Sequence, residues 1–145
     1  MHPVASPETG EVIRRFIDAL GRADVDGVLA EVSDTFELAI HTAPKGVPPT
    51  VAGKEQLAAL VASIELTWTD LRVPVIEVHP LADDPARALA EYDVVATNHD
   101  GSEYRNRYVA IGTVTDGLIT RFHEYYDPAP MVAAIAALRL RLRRP

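Results

Sequence analysis

Apolar residues recur along this chain with two different periods. Between positions 8 and 20, Val12, Ile13, Phe16, Ile17 and Leu20 return every three or four residues, the spacing of one buried helical face. Glu8 and Glu11 suit the positive end of that helix, and Gly21 suits its stop. A second helix is expected over 24–32, with Asp24 as N-cap and Val25, Val28, Leu29 and Val32 as its buried stripe. Residues 36–41 alternate as a strand. Residues 42–50 hold three prolines and a glycine, so they form a loop, and a loop this long often borders a site. The helical period returns over 53–68, with Leu57, Leu60, Val61 and Ile64 on one face. Four strands follow over 71–79, 86–98, 103–114 and 118–127, and a last helix over 130–142. Pro74 cannot donate to a sheet ladder, which puts the first of the four at an edge. Asp100-Gly101 and Asp116-Gly117 mark hairpin turns.

Helices segregated onto one antiparallel sheet make an α+β fold. A strongly curved sheet closed into a cone by the N-terminal helices would leave an apolar cavity inside. One domain is expected over 1–145, with 1–7 a frayed leader and 139–145 a basic tail.

Side chains alternate along a strand, so loop length decides which residues share a face. A three-residue loop at Thr115-Asp116-Gly117 pairs Val114 with Leu118, Ala110 with Phe122, Tyr108 with Glu124 and Asn106 with Tyr126. One face then collects Tyr104, Asn106, Tyr108, Ala110, Gly112, Val114, Leu118, Phe122, Glu124 and Tyr126. The other carries Arg105, Arg107, Arg121 and His123, which suits solvent or a subunit contact. A two-residue loop would move Glu124 to the arginine face. The same loop type at His99-Asp100-Gly101 pairs Asn98 with Ser102 and Tyr92 with Tyr108. Ala88, Ala90 and Ala96 then join Tyr92 and Val94 inside, and residues this small leave room for a ligand.

Composition narrows the chemistry. The chain has 145 residues, 48% hydrophobic and 24% charged, as in a globular domain. It has no cysteine, which removes disulfides, thiolate metal sites and cysteine nucleophiles. A formal charge of −7 disfavours a nucleic-acid role. No targeting or membrane segment is read in the chain, so a cytoplasmic location is expected. The five histidines offer no pair with ligand spacing to a carboxylate, so no metal is expected. The arginines of the tail suit a helix C-terminus, where each cation contributes ~0.3–1 kcal/mol without any partner.

The stretch Tyr104-x-Asn106-x-Tyr108, then Asp116-Gly117-x-Ile119, then Glu124-Tyr125-x-Asp127-Pro128 resembles the C-terminal signature of the SnoaL-like branch of the nuclear transport factor 2-like superfamily. The order of elements is similar over nearly the whole chain. The branch includes polyketide cyclases, phenazine biosynthesis A/B proteins and epoxide hydrolases. The resemblance implies that Glu124 inherits an acid–base role. It also implies a cofactor-free reaction: cyclisation, isomerisation or epoxide opening of a carbonyl or polyketide-like compound. The first helix lacks the tyrosine that ketosteroid isomerase-like members use there. No Asp–Arg–Asp set of the limonene epoxide hydrolase type can be placed either.

Chemistry supports Glu124 independently. A carboxylate in an apolar hollow has its charged form desolvated, which lifts its pKa toward neutrality and suits general acid–base work. Its alternative is a carboxylate tied to Arg121, Asn106 or a tyrosine. Tyr108 and Asn106 join it as catalytic candidates. Tyr92, Tyr104, Phe122, Tyr126, Trp68 and His41 are the substrate-binding candidates. His41 ends the first strand beside the long loop, although its alternation opposes that of Phe36, Leu38 and Ile40. The expected partners are a small apolar molecule and a second copy of the chain. Two further readings stay open. One is a non-catalytic ligand-binding or dimeric assembly protein. The other is a structural subunit whose interior Tyr92, Tyr108, Phe122, Tyr126 and Trp68 fill.

Overall fold

A computed structural model describes residues 7–144, so the expected leader lies outside the described residues as far as position 6. The chain runs through α1 (Pro7–Gly21), α2 (Val25–Leu29), β1 (Val32–Ile40), β2 (Thr50–Ala52), α3 (Gly53–Thr67), β3 (Thr69–Leu81), β4 (Asp84–Thr97), β5 (Glu103–Thr115), β6 (Leu118–Tyr126) and α4 (Pro128–Leu142). The strands form one curved, unclosed sheet in the order β2-β1-β6-β5-β4-β3, and the fold is α+β. Pro74 stands in β3, at the sheet edge as expected. The first arginines of the basic tail, Arg139 and Arg141, form the last turn of α4. No helix among the described residues is long and apolar enough to cross a membrane.

Three local expectations are corrected. The second helix stops at Leu29, not at 32. Asp24 caps it by accepting from the Gly27 N–H at 3.0 Å, but Val32 already pairs with Ile119 in the sheet. The Ile119 N–H also bonds the Glu31 carbonyl at 2.8 Å, so a ladder hydrogen bond outcompetes one more helical turn. Thr50 closes no loop; it opens the short strand β2, antiparallel to β1. The sheet is mixed rather than wholly antiparallel, because β1 runs parallel to β6.

The β5–β6 hairpin reaches the expected face by a different route. Asp116 and Gly117 both have positive φ, 53° and 78°, and form a two-residue turn with Thr115 opposite Leu118. A bulge at Thr120 then inserts one residue, so Gly112 faces Phe122, Ala110 faces Glu124 and Tyr108 faces Tyr126. Two shifts of one residue restore parity, and Glu124 stays with the tyrosines. The expected pairings of Ala110 with Phe122, Tyr108 with Glu124 and Asn106 with Tyr126 are each displaced. Before the bulge parity is inverted, so Leu118 is exposed and Ile119 is fully buried. The β4–β5 hairpin follows the three-residue reading, with Tyr92 opposite Tyr108 and Gly101 at φ 86°.

The inner face holds the core. α1 lays Ile13, Phe16 and Ile17 on it, all fully buried. The Phe16 ring lies 4.9 Å from that of Phe122 and 5.8 Å from that of Phe36. A Cβ on Gly112 would come within 2.7 Å of Ile13 Cδ1, so this glycine admits the helix, not a ligand. α3 contributes fully buried Leu57 and Val61, and α4 contributes buried Met131 and Ala134. The opposite face shows exposed Arg105, Arg107, Arg121 and Tyr125.

A buried glutamate among tyrosines

Strand alternation brings Tyr92 from β4, Tyr104, Asn106 and Tyr108 from β5, and Glu124 and Tyr126 from β6 to the inner face, and all six are buried. The Tyr92 hydroxyl donates to Glu124 Oε1 at 2.8 Å. The Tyr92 and Tyr108 rings stack with centroids 5.2 Å apart, and Tyr108 meets Tyr126 at 4.8 Å. The Tyr104 and Tyr108 hydroxyls share one hydrogen bond of 2.6 Å. The Asn106 amide donates to the Tyr104 hydroxyl at 3.1 Å and to the Asp127 carbonyl at 2.9 Å. Asn106 therefore orders the tyrosine pair and the start of α4, and its amide hydrogens go to Tyr104 and Asp127 rather than to Glu124. Asp127 caps α4 by accepting from the Ala129 N–H at 3.0 Å.

Burial pushes the Glu124 pKa from 4.5 to about 7, and the Tyr92 hydrogen bond opposes the shift. Both protonation states are then within reach near neutral pH. Burial, and then the nearby Glu124 charge, holds the Tyr92 hydroxyl well above its usual range. Tyr108 is raised for the same leading reason. These phenols stay neutral donors. Tyr92→Phe removes the one hydrogen bond that favours the carboxylate, so the Glu124 midpoint should rise above about 7. Carbon-13 NMR titration of the labelled carboxyl reads this directly; an unmoved or lowered midpoint contradicts the assignment.

The remaining candidates separate. Trp68 caps the end of α3, donates from Nε1 to Asn98 Oδ1 at 3.0 Å and lies 4.7 Å from the Tyr104 ring. It backs the tyrosine cluster. Phe122 lies under α1 with Phe16. His41 stands on the opposite face, as its alternation demands. Its Nε2 lies 3.0 Å from His123 Nδ1 and its ring stacks on Tyr125 at 4.7 Å. Only its backbone reaches the site, its N–H bonding the Glu124 carbonyl at 3.0 Å. Arg121 is exposed on that outer face and does not pair with Glu124.

Trp68, Tyr104, Tyr92, Tyr108 and Tyr126 pack ring against ring along the expected hollow. A groove of about 390 Å³ is lined by Asp93, Arg105, Asn106, Arg107, Asp127 and Pro130, and meets the cluster through Asn106. A second, of about 230 Å³, lies between α1 and α2. Neither is lined by Glu124. Of the ties the sequence offers Glu124, to Arg121, Asn106 or a tyrosine, the structure forms the one to a tyrosine, Tyr92. The pairing of Tyr92 with Tyr108 was readable, but the displacement of β6 that brings Glu124 opposite Ala110 was not.

The profile of the SnoaL-like domain matches residues 13–122. A comparison with curated proteins gave no match. Among solved structures, a proposed polyketide cyclase of a Silicibacter species is 25% identical, covering 88% of this chain and 94% of its own, with TM-score 0.73. A phenazine biosynthesis-related protein of Pseudomonas aeruginosa is 19% identical, covering 89% and 85%, with TM-score 0.75. A nuclear transport factor 2-like protein of Burkholderia xenovorans is 24% identical, covering 88% and 95%, with TM-score 0.69. The curved sheet and the helices packed on its inner face give it the fold of the nuclear transport factor 2-like protein, and the profile match over most of the chain settles the family: it belongs to the SnoaL-like domain family.

Proposed function

We propose that this chain is a small-molecule cyclase or isomerase in which Glu124 moves a proton at a carbon next to a carbonyl group. One observation carries the reading: a carboxyl buried in an aromatic interior, bonded only to Tyr92 among the described residues, with a pKa of about 7. Such a group accepts and returns a proton near neutral pH without a large driving-force penalty. Tyr92 orients the carboxyl, and Tyr108 and Tyr104 wall the site. The substrate is a small, largely apolar carbonyl compound, and the step requires no cofactor. Isomerisation and ring closure need one base that gives its proton back. Epoxide opening asks for a second acid or an activated water. Among the described residues the side chain bonded to Glu124 is the Tyr92 phenol, which holds the carboxyl in place, and a single oriented base suits isomerisation and ring closure.

The test is turnover of a panel of enolisable ketones and β-diketones by the parent protein and by Glu124→Gln. Loss of turnover with retained binding supports the reading; equal turnover removes it. The aromatic packing of the interior favours a second reading, a non-catalytic ligand-binding or assembly protein. In that case the parent shows no turnover and Glu124→Gln preserves ligand affinity.

The outer face supports the expected homodimer. Arg105, Arg107 and Arg121 stand beside Glu37, Glu91 and Asp93 across the registered strands, a mixed-charge patch able to meet its own copy about a two-fold axis. Exposed Tyr125 lies among them, stacked on His41. Light scattering should give twice the chain mass of 15.8 kDa, and Tyr125→Arg should lower it to that value. A parent protein at 15.8 kDa would rule the dimer out.

A further inference from the structure

The buried hydroxyls of the inner face can be counted donor by donor. Tyr92 spends its hydrogen on Glu124. Tyr104 and Tyr108 share a single contact, and Tyr104 also accepts from Asn106. One phenolic hydrogen of that pair is therefore left over. Tyr126 is different in kind: its hydroxyl is buried, the residue is 6% exposed, and Oη has no hydrogen-bond partner among the described residues. Tyr126 is two residues from Glu124 on the same strand, so both side chains leave the same face. Its ring rests on Tyr108. Burial raises its pKa, with the Glu124 charge adding to the effect, so the group is a neutral donor. Leaving a buried donor unpaired costs ~1–3 kcal/mol, which native interiors rarely tolerate without a reason.

We propose that Tyr126 is a catalytic residue whose hydroxyl donates to the substrate oxygen on which negative charge develops while Glu124 holds the proton. This rests on the function proposed above and assigns a second group to that site. The Glu124 carboxylate takes a proton from the carbon next to the carbonyl. The C–H bond breaks, an O–H bond forms on Glu124, and the electron pair moves into a new C=C bond. The carbonyl oxygen becomes an enolate oxygen and takes the Tyr126 hydrogen bond. Return of the proton from Glu124 to carbon, at the same or a conjugated position, restores the carbonyl. The accounting fits this oxygen: the interior has spare donors and one carboxylate, so a bound molecule must offer an acceptor to the tyrosines and a proton to Glu124. Tyr92 cannot take the role, because its hydrogen is engaged by Glu124 itself.

The probe is 2-tetralone, whose α-protons exchange in deuterated water, followed by proton NMR with parent, Tyr126→Phe and Glu124→Gln proteins. The parent should accelerate exchange and Glu124→Gln should not. Tyr126→Phe should lower kcat ~100-fold, the scale of one lost oxyanion donor. It should leave KM within about threefold, because the lost bond forms only with the enolate. Its melting temperature should match or exceed the parent's, since no hydrogen bond within the protein is broken. Binding of 2-naphthol, a mimic of the enol, should weaken ~10-fold in Tyr126→Phe at equal fold stability. Full exchange by Tyr126→Phe, with Glu124→Gln inactive, overturns the role of Tyr126 and leaves that of Glu124 standing. A Tyr126→Phe protein that is slow but also melts well below the parent overturns it as well, because the hydroxyl is then structural. Absence of exchange in the parent counts against both assignments.

Discussion

Glu124→Gln is expected to melt above the parent at pH 8.5 and alongside it at pH 4. The folded-state pKa of Glu124 is raised, to about 7 from 4.5. The folded chain therefore binds more protons than the unfolded chain between those values. Stability from this group is fully present below 4.5 and is lost as pH rises through about 7. Ionising the buried carboxyl costs ~3 kcal/mol at pH 8 and above. A neutral glutamine avoids that cost and keeps an oxygen for the Tyr92 hydroxyl, although its amide N–H groups need acceptors. The gain is thus up to ~3 kcal/mol, on the order of 5–10 °C in Tm. The same substitution should lower turnover ~100- to 10,000-fold, the usual worth of one general acid–base group. Calorimetry across pH 4–9 checks the first half without any substrate. A parallel pH profile for the two proteins would show that Glu124 is not ionising inside the fold.

Phe122→Ala should unfold at much lower urea than the parent, with a loss of ~3–5 kcal/mol. Phe122 is fully buried, with Phe16 against it from α1 and Leu38 beside it on β1. Truncation removes the contact that seats α1 on the sheet and leaves a cavity that α1 cannot fill without losing its other contacts. A pocket-wall residue would behave in the opposite way, with weakened ligand binding and little change in stability. Equilibrium unfolding by circular dichroism separates the two. A loss below ~1 kcal/mol would mean that the site collapses freely and that α1 is held elsewhere.

Much of the fold was legible because its signals are local. The spacing of Val12, Ile13, Phe16 and Ile17 specifies one helical face, and the same four residues are buried. Pro74 marks an edge strand because a missing N–H is tolerated only there. The Tyr-x-Asn-x-Tyr alternation specifies one shared face, whatever its partners. Val32 shows the limit. Its position in the helical pattern is good, but the sheet claims it through Ile119, nearly ninety positions away along the chain. The parallel contact of β1 with β6 is likewise invisible to any short window.

The β5–β6 hairpin divides the two kinds of information most sharply. Asp116-Gly117 announces a turn, and either a two- or a three-residue loop satisfies its backbone. Burial chooses between them: the two-residue turn exposes Leu118 and buries Ile119, and the bulge at Thr120 then returns Phe122, Glu124 and Tyr126 to the interior. From the residues alone came the elements, their faces and an acid among tyrosines. The tertiary structure decided which tyrosine holds that acid, which is left with an unpaired hydroxyl and how the rings pack along the hollow. Period and turn chemistry are properties of neighbours along the chain. Hydrogen-bond partners, desolvation and free volume depend on the pairing of distant strands, and only the folded chain brings those together.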